Sequence, residues 1–359
     1  MSEAPVLATV CNRIGHLTLN RPAGLNAVNL PMVRHLHKQL QIWADDPEIL
    51  AVVLRANGEK AFCAGGDIRA LYDSYKAGDG EHQTFFEEEY TLDQYIHAYR
   101  KPLVALLDGF VLGGGMGLAQ GAALRVVTER TKMGMPETAI GYFPDVGASH
   151  FLSRLPGELG TYLGITGVQI RAADALYTGL ADWCIPSEQL TELDRCLDNL
   201  AWNTHPHEAL RTLLATLGTS RMPGAELKAL RPAIDECFSL PDLPSIRAAL
   251  QKEIRPEFQH WAEETARLLD SRSPLAMGVT LELLRRGREL SLVECFALEL
   301  HLDRQWFARG DIVEGVRALI IDKDKNPRWN PPNLDAVTKA HIDGFFAGFK
   351  TLGKVRRAG

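Results

Sequence analysis

The run Gly113-Gly114-Gly115 does most to limit what this chain can build. Three successive glycines lose backbone freedom on folding and pack nothing, so a fold keeps them where main chain must come close to something. The apolar segment Leu103–Leu107 before them has the length and composition of a buried strand, and residues 116–123 after them suit a helix. The first N–H groups of such a helix have no intrahelical acceptor. They offer positive partial charge to an anion or a developing oxyanion. The stretch 111–147 then closes with two carboxylates, Glu137 and Asp145. An earlier segment repeats the device: Ala61-Phe62-Cys63-Ala64-Gly65-Gly66-Asp67-Ile68 sets small residues between strand and helix, with Asp67 where its charge suits the helix dipole.

The chain has 359 residues, enough for one large domain or two ordinary ones. A net charge of −6 and a pI of about 6.0 argue against a nucleic-acid surface, which needs a basic footprint. Six cysteines form no CxxC pair and have no partners at zinc spacing, so buried reduced thiols are expected. No apolar run is long enough to span a bilayer, and the first ten residues lack a basic or arginine-rich leader pattern. The expectation is a soluble, cytoplasmic protein with no membrane partner.

In chain order, 6–10 and 16–20 read as a hairpin, and Asn29 with Pro31 reads as a helix cap and first turn ended by Asp45-Asp46-Pro47. Residues 51–54 read as a strand, and 78–100 as polar and then helical, with Glu87-Glu88-Glu89 on a solvated face. Residues 125–128 read as another strand. From about 186 onward helical periodicity dominates, at 210–217, 258–269, 281–284 and 292–307, with prolines such as Pro206, Pro232 and Pro274 punctuating the segments. This predicts an α/β core over 1–190 and a helical region over 191–359.

Several familiar motifs are absent. GxGxxG read from Gly113 ends on Leu118, and read from Gly115 ends on Gln120. No GxxxxGK[ST] loop occurs. Gly147-Ala148-Ser149-His150-Phe151 lacks the closing glycine of a nucleophile elbow. His205-Pro206-His207-Glu208 lacks the second histidine of HExxH.

The glycine segments together with Met135-Pro136-Glu137 resemble the crotonase (enoyl-CoA hydratase/isomerase) superfamily. Three segments resemble its 3-hydroxyisobutyryl-CoA hydrolase subgroup more specifically. They are Phe86-Glu87-Glu88-Glu89-Tyr90, the run from Met135 through Pro144-Asp145-Val146-Gly147, and the run from Asp311 to Pro327 containing Glu314-Gly315-Val316-Arg317 and Asp322-Lys323-Asp324-Lys325. The resemblance covers about residues 10 to 335.

It implies a crotonase-type spiral of ββα units with a helical C-terminal extension, holding an acyl-CoA thioester. It implies oxyanion donors at the N–H groups of Gly66 and Gly114, and Glu137 beside the thioester carbon as general base or as nucleophile. It also implies Asp145 on the substrate's 3-hydroxyl and Glu89 near the acyl end. No metal or redox cofactor is implied, because CoA is part of the substrate. Homo-oligomers are common on this fold. Hydratases of the superfamily carry a second glutamate where this chain has Gly117, which favours hydrolysis. Ala148-Ser149-His150-Phe151 is less glycine-rich than the subgroup leads one to expect, so the acyl-pocket shape stays open. The rival expectations are an enoyl-CoA hydratase or isomerase on the same fold, and a non-catalytic binding subunit.

Overall fold

A computed structural model describes residues 4–202 and 205–351. In chain order its strands are β1 (Val6–Cys11), β2 (Ile14–Leu19), β3 (Ala51–Ala56), β4 (Ala61–Cys63) and β5 (Leu103–Leu107), then β6 (Phe110–Leu112), β7 (Leu124–Val127), β8 (Lys132–Gly134), β9 (Ile170–Arg171) and β10 (Trp183–Cys184). The first four helices are α1 (Leu30–Asp45), α2 (Ile68–Ala77), α3 (Glu81–His97) and α4 (Gly114–Gln120).

Two sheets form. The larger has the order β1-β2-β3-β5-β7-β10, parallel except for the β1–β2 hairpin. The smaller has the order β4-β6-β8-β9, with β4, β6 and β8 parallel. The chain steps from the large sheet to the small one three times, at β3–β4, β5–β6 and β7–β8, and helical segments return it. That repetition is the expected spiral of ββα units.

Local chemistry accounts for the elements. The hairpin turns at Asn12 and Arg13, both with positive φ (45° and 62°), which matches the twist of the flanking strands. Asn29 caps α1 by accepting from the Met32 N–H, with proline in the first turn. β5 along its length and β3 from Ala51 to Leu54 are apolar because both sheet faces are covered there. Val52, Leu54 and Ala105 face the main core, while Val53, Val104 and Val126 pack with Leu193 of helix Leu190–Asp198 and Leu210 of helix Pro206–Leu217. Among the described residues no strand follows Cys184.

The structure changes three expectations. The helix after the glycines begins at Gly114, so two of the three glycines form its first turn, and it ends at Gln120 rather than 123. Pro232 does not separate segments but sits inside helix Glu226–Phe238, where it forgoes one backbone hydrogen bond. The strands β6, β8, β9 and β10 were not foreseen, because two or three residues are too few to show a period.

Candidate active site

The two strand–glycine–helix turns come together. Gly65 (φ +112°) and Gly113 (φ +49°) hold backbone that L-residues rarely adopt, and each precedes one expected donor, Gly66 or Gly114. A Cβ placed on Gly114 would lie 3.5 Å from the backbone nitrogen of Gly66, so the two donors are neighbours across the gap. Gly114 is the first residue of α4, and its N–H has no intrahelical acceptor. The turn has no room for side chains: a Cβ on Gly113 would meet Glu137 Oε1 at 2.7 Å, and one on Gly115 would meet the Cys63 carbonyl oxygen at 2.5 Å.

Gly66, Gly114, Glu89, Glu137 and Asp145, the five residues singled out above, line one cleft of about 870 Å³ including its mouth. Aromatic and aliphatic side chains form the rest of its lining, among them Phe86, Tyr142, Phe307 and Val316. Phe307 belongs to helix Leu292–Arg309 and Val316 to helix Ile312–Val316, so the C-terminal region supplies one wall.

Glu137 opens a short 3₁₀ turn, Glu137–Ile140, and is 7 % exposed. Its Oε2 is buried without a hydrogen-bond partner among the described residues. Burial, and then the nearby Asp145, push its carboxyl well above the usual range. Asp145 is buried too, and Tyr90 donates its hydroxyl to Oδ2 at 2.7 Å. Burial raises the Asp145 carboxyl to about 7 although the Tyr90 bond opposes the rise. A carboxyl held there exchanges a proton near neutral pH.

The three consecutive glutamates have three fates. Glu87 pairs with Arg304 at 2.9 Å and Glu88 with Arg34 at 2.8 Å, both at the surface. Glu89 does not share the solvated face; it turns inward and is 3 % exposed. Burial raises its carboxyl first, and Asp93, Asp145, Asp303 and Glu137 raise it further.

Sequence reasoning missed Tyr90, Asp93, Glu299 and Asp303. Asp93 is fully buried, with neither oxygen partnered among the described residues, and a Cβ on Gly117 would lie 2.6 Å from its Oδ2. Glu299 and Asp303 stand one turn apart on helix Leu292–Arg309, and Asp303 accepts the Tyr142 hydroxyl at 2.8 Å. A signal was available: both acids fall on the buried stripe of Cys295, Leu298, Leu302 and Trp306. Cys63 lies beside the glycines, but burial pushes its thiol up to about 12, which leaves it a poor nucleophile.

The enoyl-CoA hydratase/isomerase family pattern matches residues 14–346, and the chain belongs to that family. The chain is 39 % identical over 347 residues to a mitochondrial 3-hydroxyisobutyryl-CoA hydrolase of Xenopus tropicalis, covering 96 % of this chain and 89 % of that one. It is 37 % identical over 343 residues to the Homo sapiens protein of the same name, covering 94 % and 86 %. In three dimensions it is similar to a carnitinyl-CoA dehydratase from Mycobacterium thermoresistibile, with TM-score 0.88, 37 % identity and coverage of 97 % and 98 %. The crotonase-type fold, with its helical C-terminal region, is therefore that of its family. Among the described residues no helix is long and apolar enough to cross a membrane.

Proposed function

We propose that the chain hydrolyses the thioester of 3-hydroxyisobutyryl-CoA, or of a close 3-hydroxyacyl-CoA, to the free acid and CoA. The placement of Glu137 carries this: a buried carboxyl with an unpartnered oxygen stands against the glycine turn that presents Gly114, in the cleft that Gly66 and Asp145 also line. The names borne by the relatives support the same chemistry.

In this mechanism the thioester carbonyl oxygen sits between the N–H groups of Gly66 and Gly114. Attack at carbon puts negative charge on that oxygen, and one preorganised donor is typically worth ~3 kcal/mol of barrier. Glu137 takes a proton from the attacking water, or attacks the carbon itself to give a mixed anhydride that water then cleaves. A carboxylate held above its usual range is the stronger base once ionised, so hydrolysis rises with pH as Glu137 loses its proton. Asp145 receives the 3-hydroxyl on the oxygen that Tyr90 leaves free. A polar group built to meet a hydroxyl discriminates strongly against esters lacking it. CoA leaves as the thiol, and neither a metal nor a redox cofactor takes part. We read 1–190 as the acyl-CoA-binding core and 191–359 as a helical C-terminal region, from which Phe307, Ile312, Val313 and Val316 line the cleft. The six unpaired cysteines support a reducing compartment such as the cytoplasm.

The test is thiol release from 3-hydroxyisobutyryl-CoA beside isobutyryl-CoA, in wild type and Glu137→Gln. Fast release from the hydroxylated ester, abolished in the variant while the ester still binds, is expected. An active Glu137→Gln sinks the assignment. Hydration of crotonyl-CoA in place of hydrolysis would favour a hydratase, the activity named for the similar Rhodobacter sphaeroides structure (TM-score 0.85, 37 % identity).

A further inference from the structure

Asp145 stands three residues before Ala148, the first residue of the short helix Ala148–Phe151. An aspartate so placed ordinarily turns its carboxylate back onto the N–H groups just ahead of it, as an Asx turn or a helix cap. Here it does not: its side chain goes to the Tyr90 hydroxyl and the cleft. Another acid has taken the donors. Glu299, fully buried on helix Leu292–Arg309, accepts the Gly147 N–H on Oε2 at 2.7 Å. Its Oε1 accepts the Ser149 N–H at 2.9 Å and the Ser149 hydroxyl at 2.5 Å.

The same helix fixes the turn itself. Val146 has φ +51°, a conformation costly for a β-branched residue, and Gly147 follows at φ +86°. Phe296, one turn before Glu299, closes over Gly147, where any Cβ would meet its ring at 2.9 Å. The Phe296 ring also packs on Tyr90, with centroids 5.8 Å apart. One helix of the C-terminal region thus holds both the strained turn after Asp145 and the tyrosine that donates to it.

We infer that Glu299 is the positioning residue for Asp145: by capping Gly147 and Ser149 from another helix, it keeps the Asp145 carboxyl off those two N–H groups and turned to the cleft for the substrate's hydroxyl. This deepens the role proposed for Asp145 and rests on it. Without Glu299, the freed Gly147 and Ser149 N–H groups draw Asp145 back, and the site loses its hydroxyl reader while the oxyanion donors and Glu137 stay in place.

The experiment compares kcat/KM for 3-hydroxyisobutyryl-CoA and isobutyryl-CoA in wild type, Asp145→Ala, Glu299→Ala and Glu299→Gln, with a thermal melt of each. Glu299→Ala should cut the preference for the hydroxylated ester roughly tenfold or more, with hydrolysis of isobutyryl-CoA little changed. Glu299→Gln keeps the volume and one acceptor oxygen, so it should fall between, and it decides the matter where the alanine variant does not fold. If Asp145→Ala destroys the preference and folded Glu299→Gln and Glu299→Ala keep it in full, the positioning role is wrong and the Asp145 role stands. If Asp145→Ala itself keeps the preference, both are wrong.

Discussion

At Gly65-Gly66 the chain leaves β4 and enters α2 through Asp67, whose carboxylate accepts the Ala70 N–H at 3.4 Å and pairs with Arg21 at 2.9 Å. At Gly113-Gly114 it leaves β6 and enters α4 with no side chain at the cap. The first turn is closed by its own cap together with Arg21 and Val28 from the segment before α1, and is partly open to water. The second is closed by groups distant in sequence: Glu137 against Gly113, Glu89 against Gly114, Cys63 against Gly115 and Asp93 against Gly117. Two turns of one design therefore serve different ends. The capped turn carries part of its closure in its own side chain, whereas the uncapped one keeps its donors free and relies wholly on side chains from elsewhere in the fold to hold it.

The sharpest way to break that contrast is Gly115→Ala. The new methyl would stand 2.5 Å from the Cys63 carbonyl oxygen, a main-chain atom that cannot swing away. Overpacking of this kind costs ~1–3 kcal/mol or more. It also drives α4 from β4 and so parts Gly114 from Gly66. A displacement of about 1 Å at the reacting atoms costs roughly a hundredfold in rate. A lowered melting temperature and a hundredfold loss of thiol release are expected, and an unaffected variant would mean the second turn yields as easily as the first.

Acidity separates the turns as well. Asp93, buried beside Gly117, has its carboxyl raised well above the usual value, by burial first and then by Asp145 and Glu299. A group that holds its proton longer in the folded chain than in the unfolded one makes stability fall as pH rises. The window opens at the ordinary aspartate value of 3.8 and extends well above it, until the folded chain gives up the Asp93 proton. Asp93→Asn removes one such proton. The stability of the variant relative to wild type should therefore climb with pH, by up to ~1.4 kcal/mol per unit, in urea titrations at pH 5, 6.5 and 8. A relative stability that stays flat across this range would show that Asp93 is ionised in the fold.

That contrast also explains what could be read from the chain. Strand, glycine turn and helix are legible at both sites because each signal lies within a dozen residues, and Glu137 and Asp145 stand in a segment of recognisable pattern. The acidic run by itself put Glu89 on an exposed face, because three adjacent glutamates mask the helical phase, and only the family resemblance set it near the acyl end. Counted from Phe85 and Phe86 to Tyr90, Asp93 and Ile96, that phase puts Glu89 on the buried face of α3. Glu299 is harder to read: its partners lie 150 and 152 residues away, and only the packed structure brings an acid of the C-terminal helix onto the Asp145 turn. Which residues of the C-terminal region line the cleft was illegible for the same reason.

Asp67→Ala tests the local side of the comparison. Loss of a cap typically costs ~1 kcal/mol, and Arg21 loses its partner as well. Because Gly66 is also held by the pairing of Val28 with its flanking residues, the donor should stay in place. The expected result is a lower melting temperature with kcat nearly unchanged. A large fall in kcat at intact fold would mean that the cap, and not the β-bridge, sets the first donor.

Gly66→Ala should have the smallest effect. Its φ lies outside the left-handed region, and a Cβ there would meet only Phe85 Cζ at 3.6 Å, Phe85 Cε1 at 3.7 Å and Ile68 Cδ1 at 3.9 Å, ordinary contact distances. The N–H is kept, so the oxyanion donor survives. Stability should change by no more than ~0.5 kcal/mol. Gly114→Ala makes the informative partner, because its methyl would press on Glu89 Oε1 at 2.7 Å and can be relieved only by moving that side chain. If thiol release is near wild type for Gly66→Ala and clearly reduced for Gly114→Ala, the two donors are equivalent in chemistry and unequal in their room. If Gly66→Ala loses activity while its melt is unchanged, the methyl obstructs the thioester itself, and the first turn lies as close to the substrate as the second.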